Sequence, residues 1–134
     1  MSRENVEIAV RAGFLFNTGK VDAAFALCHP DIAFRDLQHA PDVPEAVRGA
    51  EALRVVLTHW SDTFAELRAD AVDYVDADPW VIADMRWRGK GRGSEIVIDA
   101  RQADALKIEG DKIVEWIVGY PDVDAALADL GVEE

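Results

Sequence analysis

A chain of 134 residues and 14.8 kDa is the size of one domain, which usually spans roughly 100–200 residues. Half of it is hydrophobic and 30% is charged, a globular rather than a disordered mixture. Fourteen basic residues against 26 acidic ones leave a net charge of −12, which repels phosphate backbones and anionic bilayers and argues against nucleic acid or membrane as a partner.

The single cysteine, Cys28, excludes an intrachain disulfide framework and any zinc-finger spacing. A reduced, cytoplasmic setting is the expectation. Arg3, Glu4, Glu7 and Arg11 interrupt any signal-peptide apolar core, and no apolar run approaches the ~20 residues of a membrane span. Without repeats or a linker, residues 1–134 read as one soluble domain.

The first element is a helix, with Ser2 as a cap and Glu4, Glu7 and Arg11 as its only polar stripe. Its other residues, from Val6 to Phe16, are apolar nearly all round, which predicts enclosure by the fold. Asn17-Thr18-Gly19 ends it. A second helix places Val21, Ala24, Phe25 and Cys28 on one stripe and stops at Pro30. A strand over Asp31 to Asp36 follows, with Ile32, Phe34 and Asp36 on one face. Leu37 to Gly49, with Pro41 and Pro44, reads as a loop. A third helix from Gly49 to Phe64 buries Leu53, Val56, Leu57, Trp60 and Phe64.

From Leu67 to Val118 the pattern is of strands. One holds Val72 and Tyr74, and Asp78-Pro79 turns into the next, Trp80 to Arg88. Gly89 to Gly93 forms a hairpin loop, Glu95 to Ile108 a long strand, Glu109-Gly110-Asp111 a tight turn and Lys112 to Val118 the last strand. Pro121-Asp122 opens a terminal helix burying Val123, Ala126, Leu127 and Leu130. The order implies an α+β fold, with helices on one side of a curved antiparallel sheet.

The series Asn17-Thr18-Gly19, Val21-Asp22, His29-Pro30-Asp31-Ile32-Ala33-Phe34, Arg48-Gly49, Glu109-Gly110-Asp111-Lys112-Ile113 and Trp116 resembles the nuclear transport factor 2-like superfamily and its SnoaL-like group, over Asn5 to Leu130. The resemblance implies a cone-shaped, half-open barrel with an apolar pocket between sheet and helices, dimerised through the sheet. Its members include isomerases, cyclases, dehydratases and non-catalytic adaptors, so the fold leaves the chemistry open.

Two carboxylates interrupt apolar rows. Asp36 shares its face with Ile32 and Phe34, and Asp104 shares one with Ile96, Ile98, Ala100, Gln102, Leu106 and Ile108. An unpaired carboxylate there resists ionisation, and two can divide into a base and a neutral donor. The resemblance places Asp36 where ketosteroid isomerases carry their base, and Asp104 where they carry a protonated oxyanion-holding acid. Those enzymes add a tyrosine on the first helix, where this chain has Ala12; the tyrosines here are Tyr74 and Tyr120. The alternative has Asp36 capping a turn and Asp104 paired with an arginine such as Arg101.

Asp84, Arg86, Asp99 and Arg101 supply the residue types of an epoxide hydrolase relay, but Asp99 and Arg101 alternate away from the Asp104 face. His29, His39 and His59 lack metal-ligand spacing. His39 follows Asp36 and is placed to reach a ligand. Cys28 reads as core. Arg86, Arg88, Lys90 and Arg92 form a local basic arm. Trp60, Trp80, Trp87 and Trp116 suit either a ring-binding pocket or a filled core.

The residues predict binding of a small, largely apolar molecule with proton transfer next to a carbonyl as its chemistry, and the resemblance implies a homodimer. Asp36 and Asp104 are the catalytic candidates, with Phe16, His39, Trp60, Gln102 and Trp116 around the ligand. No metal or organic cofactor is implied. The rival is a ligand-binding or dimerisation module of the same fold without catalysis.

Overall fold

The computed structural model describes residues 2–39 and 44–133, and of Ser2 the backbone only. The cap expected of Ser2, and Pro41, lie outside what is described. Helix α1 (Ser2–Asn17) leads to the short α2 (Val21–Phe25), β1 (Cys28–Asp36), β2 (Ala46–Arg48) and α3 (Ala50–Thr63). Four strands and a helix follow: β3 (Phe64–Ala77), β4 (Trp80–Gly91), β5 (Val97–Glu109), β6 (Lys112–Tyr120) and α4 (Val123–Leu130).

The strands form one six-stranded sheet in the order β2-β1-β6-β5-β4-β3. Strands β3 to β6 are the expected antiparallel meander, but β1 runs parallel to β6, so the sheet is mixed. That pairing lays Phe34 beside Trp116 and Asp36 beside Val118.

Several boundaries differ from the sequence expectation. The second helix ends at Phe25, and Cys28 opens β1, because the Leu27 carbonyl is taken by the Ile113 amide. Pro30 therefore lies in a strand, where the register with β6 is irregular and its missing N–H costs no ladder bond. Part of the expected loop is β2, which pairs with β1 through Ala33 and Arg48. Strand β4 continues through Gly91, so Gly89 to Gly91 belong to the ladder rather than to the hairpin loop.

Alternation divides the apolar residues into two cores. Val81, Ala83, Met85 and Trp87 face a core under α1 and α3, with Ala9, Ile32, Phe34, Leu53 and Val56. Trp80 and Ile82 face a second core with Ala103, Ala105, Ile117, Tyr120 and Ala126 of α4. Helix α4 therefore packs on the opposite sheet face, which corrects the expectation of helices on one side only. It is capped by Asp122, whose side chain accepts from the Ala125 amide, and pinned by the Tyr120 hydroxyl donating to Asp129 at 2.6 Å. Nor is α1 enclosed all round: Ala9 and Leu15 are buried, whereas Phe14 is 60% exposed. No helix among the described residues is long and apolar enough to cross a membrane.

Candidate functional site

The inner face of the sheet and the three preceding helices bound a cavity of about 100 Å³. Ala12, Gly13 and Phe16 of α1, Leu53 and Leu57 of α3 and Tyr74, Ala83, Met85, Trp87, Leu106 and Trp116 of the sheet line it. One charged side chain, Asp104, belongs to this lining.

Asp104 is 2% exposed and faces this core because β5 alternates outward-facing Ala103 and Ala105 around it. Its carboxylate accepts three hydrogen bonds. Trp87 Nε1 donates to Oδ2 at 2.8 Å, while Gln102 Nε2 at 2.8 Å and the Gly119 amide at 3.1 Å donate to Oδ1. The last bond depends on a bulge: Ala103 and Ala105 of β5 face Tyr120 and Ile117, leaving one extra β6 residue opposite Asp104. Gly119 sits there at φ 100°, which turns its N–H inward. A Cβ at this position would also stand 3.2 Å from Gln38 Cγ. Gly119→Ala should therefore cost about 1–3 kcal/mol in urea unfolding; a loss below about 0.5 kcal/mol would mean that the bulge relaxes freely.

No cation pairs with Asp104 among the described residues. Burial pushes its carboxyl up to about 6, against the pull of Gln102, Trp87 and Gly119, and the charge of Asp36 adds to the rise. The pairing with Arg101 considered from sequence is not formed. Arg101 instead reaches Asp84 at 3.0 Å and Arg86 reaches Asp99 at 2.7 Å, on the outer sheet face. The residue types of the epoxide hydrolase relay are thus spent on exposed cross-strand pairs. Arg88 also pairs with Asp70, at 2.7 Å, so half of the basic arm is neutralised locally.

Asp36 is half-buried and lies at a second, larger cavity of about 320 Å³, with Gln38, His59, Trp60, Thr63, Gln102 and Trp87. Its Oδ1 accepts from the Gln38 amide at 2.9 Å, the turn-capping geometry. Trp87 lines both cavities and divides them. The indole is wedged edge-on between Phe16, at 5.8 Å, and Trp60, at 5.5 Å. The two aspartates named from sequence thus face different cavities.

The other candidates divide accordingly. Phe16 and Trp116 line the inner cavity, Trp60 and Gln102 the outer one. His39 is exposed and lines neither. Cys28 touches the inner cavity, but burial pushes its thiol up to about 11, so it stays protonated and unreactive. Among the described residues no cluster of three or more His, Cys, Asp or Glu is placed to hold a metal ion.

Two residues that matter at the site were missed from sequence. Trp87 is not among the ligand residues expected from sequence, although its signal is there: Ala83, Met85 and Trp87 alternate onto one face of β4. Tyr74 is placed by the sequence on a strand, with no role at the site. It nevertheless lines the inner cavity from β3.

A mixed, unclosed sheet with helices over its concave core and an apolar cavity between them is the fold of ketosteroid isomerase-like and nuclear transport factor 2-like proteins. The chain belongs to the SnoaL-like domain family, whose model matches residues 10–116. No curated protein matches it. Among solved structures, Bal32a from a soil-derived mobile gene cassette superposes with a TM-score of 0.77 at 16% identity, over 93% of this chain and 95% of that one. A hypothetical protein of Catenulispora acidiphila with a ketosteroid isomerase-like fold, in complex with trimethylamine, gives 0.73 at 16% identity, over 95% and 94%. A candidate SnoaL-like polyketide cyclase of Jannaschia gives 0.75 at 16% identity, over 87% and 85%. At these identities the likeness is one of fold.

Proposed function

We propose that this chain binds a small, largely apolar molecule in its inner cavity and moves a proton next to the molecule's carbonyl group, as isomerases and cyclases do, with Asp104 as the base. The observation that carries this reading is a buried carboxylate without a cation partner on the wall of an otherwise apolar cavity. Desolvation makes such a group more basic, and a general base works best when its pKa lies near the operating pH. Three donors hold the carboxylate in place and favour its charged, proton-accepting form.

This reading moves the base from Asp36, favoured on resemblance, to Asp104. A neutral Asp104 would have to donate a hydrogen bond, yet each polar partner it has is itself a donor. The Jannaschia neighbour's cyclase name and the small amine held by the Catenulispora protein both accord with a cone that takes small molecules. We extend the reading to a homodimer, which should sediment at twice the chain mass of 14.8 kDa.

The test is exchange of the α-protons of cyclopentanone in D₂O, followed by NMR. Wild type should exchange above the buffer rate, with activity rising through about pH 6 as Asp104 ionises. D104N should fall to the buffer rate, and D36N should keep most of the activity. A ketone that binds and does not exchange would sink the catalytic reading in favour of a binding module.

A further inference from the structure

The proposed proton transfer uses the inner cavity only, and the outer cavity is the larger of the two. Its volume of about 320 Å³ compares with the ~150 Å³ of apolar space that holds benzene. Gln38 and Thr63 of its lining are exposed, so it opens to solvent. Trp60, Phe64, Leu67, Trp87 and Ile98 make most of its wall apolar.

The polar groups on this wall favour a positive ligand. Asp36 is half-buried, and its Oδ1 accepts from the Gln38 amide within its own turn. Among the described residues it has no cation partner. Gln102 donates through Nε2 to Asp104 at 2.8 Å, and Gln38 donates through Nε2 to the Gly119 carbonyl at 2.9 Å. Both side-chain amides thus spend a donor on the protein and keep their oxygens as acceptors. Among the described residues no lysine or arginine lines the cavity, and His59 is its other ionisable side chain.

The arginines nearby are committed elsewhere. Arg92 Nε donates to the Ser61 carbonyl near the end of α3 at 2.7 Å. Arg86 and Arg88 pair with Asp99 and Asp70. Arg35 alternates away from Asp36, onto the sheet face where its charge acts on Tyr120. A metal ion finds too few ligands, because no cluster of three or more His, Cys, Asp or Glu is placed for one among the described residues. An anion would meet both the Asp36 charge and the chain's net charge of −12.

We propose that the outer cavity is a second binding site, for a protonated amine carried on an aromatic ring, whose ammonium group pairs with Asp36 while the ring lies against Trp60 and Phe64. The site does not depend on the proton transfer assigned to Asp104. The carboxylate selects for charge, since a charge-assisted hydrogen bond is about twice as strong as a neutral one. The aromatic wall selects for the ring.

Isothermal titration calorimetry with phenethylamine tests this at about pH 7, where an alkylamine is charged. Phenethyl alcohol, of nearly the same shape, is the neutral control. Wild type should bind one amine, and the alcohol about tenfold more weakly. D36N keeps an oxygen for the Gln38 amide, so the turn is preserved. It should weaken amine binding by about tenfold and leave alcohol binding unchanged. Ala100→Trp, which fills the cavity from β5 without altering a charge, should weaken both ligands alike. Equal affinities for amine and alcohol in wild type, or amine binding untouched in D36N, would overturn the proposal. Amine binding untouched in A100W would place the amine outside this cavity and overturn it as well, as would no binding to wild type. None of these results bears on Asp104, which the ketone exchange tests separately.

Discussion

Wild-type protein should lose about 3 kcal/mol of stability relative to D104N between about pH 4 and pH 7. The folded carboxyl sits at about 6 against an ordinary 3.8, and each unit of difference corresponds to ~1.36 kcal/mol. The folded state binds this proton more tightly than the unfolded state. Its stabilising share is therefore complete below 3.8 and is lost as pH rises through 6. The asparagine variant has no such dependence but has a fixed cost. Its amide offers one acceptor where Asp104 has two oxygens, so either Trp87 or the Gln102–Gly119 pair loses its partner. That cost is about 1–3 kcal/mol at every pH. The two effects are of similar size, so the variant should be the weaker protein in acid and match or exceed wild type at neutrality. Urea unfolding of both proteins at several pH values measures the gap directly. A gap that stays constant would mean that the burial of Asp104 is relieved by water. In a D36N background the transition should move to lower pH, because the nearby like charge raises the Asp104 value.

What the sequence revealed was local. Alternation over Ile32, Phe34 and Asp36, and over Ile98 to Ile108, identified the strands and the row that carries Asp104. The Asp78-Pro79 and Gly110-Asp111 turns marked the hairpins that join the meander, and Asp122 the start of α4. What stayed hidden depends on partners distant along the chain. The parallel pairing of β1 with β6 joins Phe34 to Trp116, and no local pattern distinguishes it from an antiparallel one. Strand β2 has only three residues, too few for a period. Helix α4 has an apolar stripe that suits either sheet face; Ala103 and Ala105, small residues on the back of the Asp104 strand, are what open the outer face to it.

The same distinction explains the site. Asp104 was readable because its own strand surrounds it with apolar neighbours. Tyr74 was not, because its place opposite Asp104 follows from two registers, β3 with β4 and β4 with β5, and from an irregularity between Ala71 and Asp73 that resets the alternation. A resemblance that looks for a tyrosine on the first helix finds Ala12 and stops. The three-dimensional row brings a phenol to the same cavity from the sheet, with Gly13 of that helix yielding the space.

Phe34→Ala should cost about 3–5 kcal/mol, among the largest losses available to a single truncation here. Phe34 is fully buried, and its ring packs at 5.8 Å from Trp60 and at 5.0 Å from Trp116. Trp60 in turn braces Trp87, through a 5.5 Å ring contact. Losing the phenyl group removes its transfer free energy and leaves a void, because β1 is held between β2 and β6 and cannot collapse inward. The void opens beside the aromatic wall between the two cavities, so the effect should reach function as well as stability. Benzene should raise the melting temperature of F34A more than that of wild type, since a ligand that binds only the folded state stabilises it by mass action. Phe14→Ala is the internal control. It removes the same group from a residue 60% exposed on α1, and a surface truncation of this kind should move stability by no more than about 0.5 kcal/mol. Equal losses for the two variants in urea unfolding would contradict the placement of Phe34 in the core. A loss in F34A below about 1 kcal/mol would mean that the wall around Trp87 is loosely packed, and the division into two cavities, on which the separate roles of Asp36 and Asp104 depend, would fall with it.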